Sequence, residues 1–172
     1  MNSIPVMLGI LGLRRGPQDL PADPVTLVFW VGVAMVAGMA IGIPIYGFGR
    51  ALALNLVDLA VLFAFVRAVL AIRGVTGRWI QTYAAMVGVG AILGVGMALL
   101  MQLGGARPAD PESVPAAVML GSLILLVWLL TSFGHILQQA MGFATRLPGI
   151  LLGLGFVVLS SAITQLAIGM VQ

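Results

Sequence analysis

The chain has 172 residues, of which 61% are hydrophobic and only 8% charged, with a net charge of +3. A soluble domain carries about 25% charged residues, so this chain lacks the polar groups to coat a water-facing surface. That excludes an ordinary soluble domain, a disordered chain and a free nucleic-acid binder, and leaves an all-α polytopic integral membrane bundle. The eight cations are all arginine. They are spread along the chain, whereas a nucleic-acid patch needs them clustered. There is no cysteine, which removes disulfides and thiolate metal sites. Arginine without lysine, with abundant Ala, Gly, Val and Leu, points to a G+C-rich bacterial genome.

Residues 1–24 read as a leader. Ile4–Leu13 is apolar but too short to span, and Arg14 and Arg15 follow it. A signal peptide has its charges before the apolar run, so cleavage is not expected. The pattern predicts a short interfacial helix whose arginines meet lipid headgroups. Residues 25–172 form the membrane domain. Crossing the hydrocarbon takes about 20 apolar residues per helix. Five runs qualify: Val25–Ile45, Ala51–Ile72, Ile80–Leu103, Pro115–Leu137 and Pro148–Val171. Short joints rich in Gly and Pro separate them, which makes successive helices antiparallel neighbours.

Arg14, Arg15, Arg67, Arg73, Arg78 and Arg146 fall at one end of such a bundle, and Arg50 and Arg107 at the other. The positive-inside rule then predicts a cytoplasmic N-terminus and an outer C-terminus in a bacterial cytoplasmic (inner) membrane. The loop with Asp110 and Glu112 falls outside. Trp30, Tyr46, Trp79 and Tyr83 lie near span ends, as interface anchors do, and Trp128 is deeper and reads as a packing residue.

Helices in lipid attract one another through close backbone approach. Small residues four apart supply it at Gly38 and Gly42, at Gly90 and Gly94, and at Gly149 and Gly153. These are read as packing positions within the bundle, or as a dimerisation surface.

Ionisable groups inside a bilayer cost about 2.5–3.5 kcal/mol on insertion scales and are functional candidates. Asp58 is the one acid inside the five runs. Counting depth from the helix ends at about 1.5 Å per residue places Asn55, Ser122, Thr164 and Gln165 near it. This layer contains hydroxyls and amides but no cation. It is either a proton- or cation-coupled site or a protonated carboxyl that glues helices together. Arg67, Gln81 and His135 form a second candidate polar cluster on the cytoplasmic side. One His, no Cys and scattered acids give no metal site. No HExxH, phosphate loop, paired carboxylates or Ser/His/Asp set is present, so neither an enzyme nor a cofactor is expected.

Leu13-Arg14-Arg15-Gly16-Pro17-Gln18-Asp19-Leu20-Pro21 before the first run and Gly134-His135-Ile136-Leu137 closing the fourth, with five spans and short loops, resemble the Yip-type (Ypt-interacting protein) family. That family's eukaryotic members have a longer cytosolic N-terminal region and act in vesicle traffic with small GTPases, a role not carried over here. The resemblance implies a small membrane scaffold with no catalytic residues to transfer. The leading expectation is therefore a non-enzymatic scaffold, accessory subunit or organiser acting through helix–helix contacts. Its partners would be the lipid bilayer and another membrane protein or a second copy, with no nucleic acid. The alternative is a small proton- or cation-coupled transporter or channel component using Asp58. Five spans do not split into equal halves, so that version calls for an oligomer.

Overall fold

The computed structural model describes residues 3–104 and 114–170, with side chains up to residue 166. The predicted loop containing Arg107, Asp110 and Glu112 lies outside the described residues. The fold is all-α: α1 (Ser3–Leu11), α2 (Pro24–Tyr46), α3 (Phe48–Ile72), α4 (Trp79–Leu103), α5 (Ala116–Met141) and α6 (Leu147–Met170). The last five are long and apolar enough to cross a bilayer.

Their boundaries have local causes. Asp23 caps α2, its carboxylate accepting from the Thr26 N–H (2.8 Å) and the Thr26 hydroxyl (3.0 Å), with Pro24 at the first helical position. These bonds hold the Asp23 carboxyl below its ordinary value, the backbone bond from Thr26 contributing most. A lowered carboxyl stabilises the fold above its unfolded pKa of about 3.9 and loses that contribution as pH falls through the folded value. Thermal melts are therefore expected to show a small acid-dependent loss below about pH 4, absent in Asp23→Asn. A loss of equal size in that variant would remove this cap from the account.

Gly47, at φ +75°, is the single residue between α2 and α3. An L side chain rarely adopts that backbone, so glycine permits the reversal. α5 ends in the same way at Gly142, in the left-handed region, whose N–H donates to the Gln138 carbonyl. α5 runs four residues beyond the expected Leu137. Its last carbonyls are taken up by neighbours: Arg78 Nη1 donates to Ala140 (3.0 Å) and Arg73 Nη2 to Met141 (3.4 Å). Cations suit a helix C-terminus.

α4 is the centre and the most buried of the five spans. α2 packs on α3 and α4, α5 on α4 and α6, and α3 closes the ring against α6. Large apolar side chains such as Val28, Leu56, Leu120, Ile124, Leu151 and Val158 point outward. A surface this apolar is stable only against lipid. The chain is an integral membrane protein.

The packing glycines are mostly consumed inside the bundle. A Cβ at Gly149 would collide with the Gly134 carbonyl, and one at Gly153 would come within 3.2 Å of the Phe133 Cβ. Gly42 lies against Ala51, and Gly38 lies beneath the Asn55 amide. Gly94 meets only Ile41, at 3.7 Å. Gly90 departs from the expectation: a Cβ there would meet nothing within 4 Å. It lines a cavity instead of a helix crossing.

The short leader helix forms as α1, but its inner face is core. Met7 and Ile10 are fully buried, and Met7 fills the space above Gly88 beside Trp30. Gly88 is nine residues into α4, about 14 Å along its axis, deeper than a purely interfacial helix reaches. Ile4 and Leu8 face outward, and Arg14 and Arg15 are exposed. Two of the expected interface aromatics are core residues: Trp30 is 4% exposed, and Tyr83 is 6% exposed with its hydroxyl donating to the Leu59 carbonyl at 2.9 Å. Both face α1 or α3 rather than the membrane surface because neighbouring helices cover them.

Candidate functional site

Asp58 is the eleventh residue of α3 and sits near mid-span. It lies where two cavities meet. The larger, about 300 Å³, is walled by all five long helices. The second, about 260 Å³, runs from Asp58 towards Tyr46 and Ala51 at the α2–α3 turn. The two share Gly38, Ile41, Asn55 and Asp58. Towards the other end the larger cavity stops at Leu62, Met86, Phe133 and Phe156, all buried. Beyond them lies the apolar core of Val66, Leu70, Ile136 and Leu137.

The polar partner of Asp58 is Ser160 on α6, whose hydroxyl donates to the carboxylate. Sequence reasoning missed it. Ser161 also lines the larger cavity, and Thr164, one turn from Ser160, lines the second. Asn55 is one turn from Asp58 on the same face. Its amide is committed elsewhere: Nδ2 donates to the Met35 carbonyl at 3.0 Å and to Met35 Sδ at 3.3 Å. This bond explains why position 38 is glycine, since the Asn55 amide occupies the space of a Cβ.

Two expected members do not join. Ser122 donates to Met97 Sδ at 3.2 Å, away from both cavities. Gln165 is exposed on α6. Ser160 and Thr164 are four apart and face Asp58 together, while Gln165 is about 100° further round the helix.

The second expected cluster divides. Arg67 stands apart, its guanidinium over the Trp79 ring at 5.6 Å from the centroid. Gln81 and His135 instead hold the leader. Gln81 Nε2 donates to the Leu20 carbonyl (2.7 Å) and the Gln18 carbonyl (3.2 Å). His135 lies 2.9 Å from the Arg15 carbonyl through Nε2. A carbonyl only accepts, so Nε2 carries the proton. Trp128 Nε1 donates to the Leu11 carbonyl at 3.0 Å. The bundle thus binds the leader through its backbone, at four carbonyls.

Among the described residues no group of three or more His, Cys, Asp or Glu could hold a metal ion. What the Asp58 site offers is one carboxylate, hydroxyls beside it and room. Placing an acid at mid-span costs about 2.5–3.5 kcal/mol on insertion scales. A hydrogen bond between membrane helices returns about 0.6 and at most about 1.7 kcal/mol. One serine does not offset the cost. No family model, curated protein or solved structure matches this chain.

Proposed function

We propose that the protein is a small membrane carrier or channel component that takes a proton or cation at Asp58. The observation that carries this reading is the position of Asp58: the one acid within the candidate spans stands at the junction of two cavities, with the Ser160 hydroxyl as its hydrogen-bond partner among the described residues. A carboxyl serving only as interhelical glue has no need of surrounding space. The scaffold reading, which the Yip-type resemblance favours, draws on the small-residue stripes. Gly38, Gly42, Gly149 and Gly153 are occupied within the chain, which weakens that support.

In this reading the end bearing the exposed Arg14, Arg15, Arg67, Arg73, Arg78 and Arg146 faces the cytoplasm of a bacterium. The cavity system then opens towards the outer side, and the Leu62–Met86–Phe133–Phe156 layer is the inner seal. Completing a crossing requires that layer to part.

Asp58→Asn keeps the size and the ability to accept from Ser160 but removes the charge. In liposomes, the wild-type protein is expected to carry cation or proton flux driven by an imposed pH gradient. The variant should lose about tenfold or more of it, equivalent to about 1.4 kcal/mol, while eluting as the same folded species. Unchanged flux in the variant would overturn the proposal. Recovery of a stoichiometric membrane partner alongside unchanged flux would return the scaffold reading to first place.

A further inference from the structure

We infer that the cation is a small organic ammonium rather than a bare inorganic ion; this rests on the reading of Asp58 as a cation site. The walls of the larger cavity decide it. Its polar side chains are Asn55, Asp58, Ser160 and Ser161, all on α3 and α6. α2, α4 and α5 contribute only Ala, Gly and larger apolar residues, Phe133 among them. Stripping the water from an inorganic cation requires replacement oxygens around it, as the carbonyl rings of ion-selective pores supply. Here the side-chain oxygens stand on one side only.

An organic ammonium needs the opposite arrangement. Its charge requires one carboxylate and a hydroxyl or two, and its carbon groups require apolar walls. The Phe133 and Phe156 rings, with centroids 6.0 Å apart, border the same cavity. Aromatic faces attract alkylammonium groups, most strongly when water is excluded. A volume of about 300 Å³ is at the small end of the range for organic ligand sites. Mostly apolar walls with a few convergent polar groups are also the usual makeup of such sites. The second cavity gives the path of entry, past Ile41 and Thr164.

The test uses the full chain in lipid nanodiscs. A carbodiimide adds to a protonated carboxyl in an apolar site, and peptide mass mapping locates the adduct on Asp58. Benzyltrimethylammonium is expected to slow that labelling about tenfold at concentrations where sodium or potassium chloride of equal ionic strength does not. Phe156→Leu, with its own labelling rate in the absence of any cation as the reference, should lose most of the protection. Asp58→Asn should carry no adduct at this position. Equal protection by sodium or potassium would overturn the organic class and leave the cation reading standing. Labelling that no cation slows would overturn this inference and leave a proton as the only ligand. An Asp58 that labels neither at neutral pH nor at about pH 5, near the carboxyl range, is closed to small ligands and would overturn the inference and the underlying reading together. If Phe156→Leu fails to elute as a folded species, the wild-type comparison of the ammonium with sodium and potassium still decides.

Discussion

Replacing Gly149 by leucine is expected to destabilise the bundle by about 3 kcal/mol or more, the upper range for overpacking. At this point α6 crosses α5 backbone to backbone. A Cβ on Gly149 would meet the carbonyl oxygen, carbon and Cα of Gly134, and a Cβ on Gly134 would meet Ile150. None of the Gly134 atoms can rotate away as a flexible side chain can, so the helices must separate. Separation is costly in lipid, where packing contact supplies most of the attraction between helices. Gly149→Ala makes the argument sharper. Alanine gains about 1 kcal/mol of helix propensity over glycine, so any net loss measures the collision less that gain. Gly155→Ala is the control on the same helix. Its Cβ would meet nothing within 4 Å, and the variant should be neutral or slightly more stable. Thermal stability by size-exclusion in detergent separates the two. If Gly149→Ala and Gly155→Ala melt together, α5 and α6 do not cross at Gly134.

The crossing also shows what the sequence could and could not convey. Hydropathy is a local sum, so the five spans were legible from it, and four of them end within three residues of the reading. α5 was cut short at Leu137 because Gln138 and Gln139 interrupt the apolar run. The helix continues because Arg73 and Arg78, from another turn, accept the task of capping its carbonyls. Asp58 was legible as a lone acid in an apolar run. Its partner was not. Depth counting from helix ends ignores tilt, and it selected Thr164 and Ser122, while Ser160 makes the bond. Rotation about the helix axis is the second missing quantity. α6 is apolar on all sides, so no stripe marks its inward face. Ser160 and Thr164 on one face were the available signal, and their spacing of four residues points to a shared side. The leader posed a different difficulty. His135, Gln81 and Trp128 hold it through backbone carbonyls, and a carbonyl has no signature in a sequence. The slot at Gly88 that receives Met7 is visible only once the helices are assembled.

Gly90→Leu is expected to separate stability from function in the opposite sense to Gly149→Leu. Gly90 lies on α4, the most buried span, yet its Cβ direction points into open space in the larger cavity. The first side-chain carbon of a leucine there meets nothing within 4 Å. It gains about 1 kcal/mol of helix propensity, and it buries apolar surface worth about 25 cal/mol per Å² against Ala34, Ala37 and Phe133, which line the same cavity. The variant should therefore melt at or above the wild-type temperature. Its side chain nevertheless occupies the room beside Asp58. Flux should fall about tenfold or more, and the protection of Asp58 by an ammonium ion should disappear, a loss of about 1.4 kcal/mol of binding or more. The pairing of a gain in stability with a loss of function is the pattern of a site kept open against packing. A scaffold predicts otherwise, since filling an internal space strengthens the bundle and leaves its outer faces untouched. Gly90→Leu that is as stable as wild type and fully active would show that the cavity is only a packing defect. It would also leave Asp58 as a structural hydrogen bonder to Ser160. A variant that is more stable and inactive ties the function to the empty space itself.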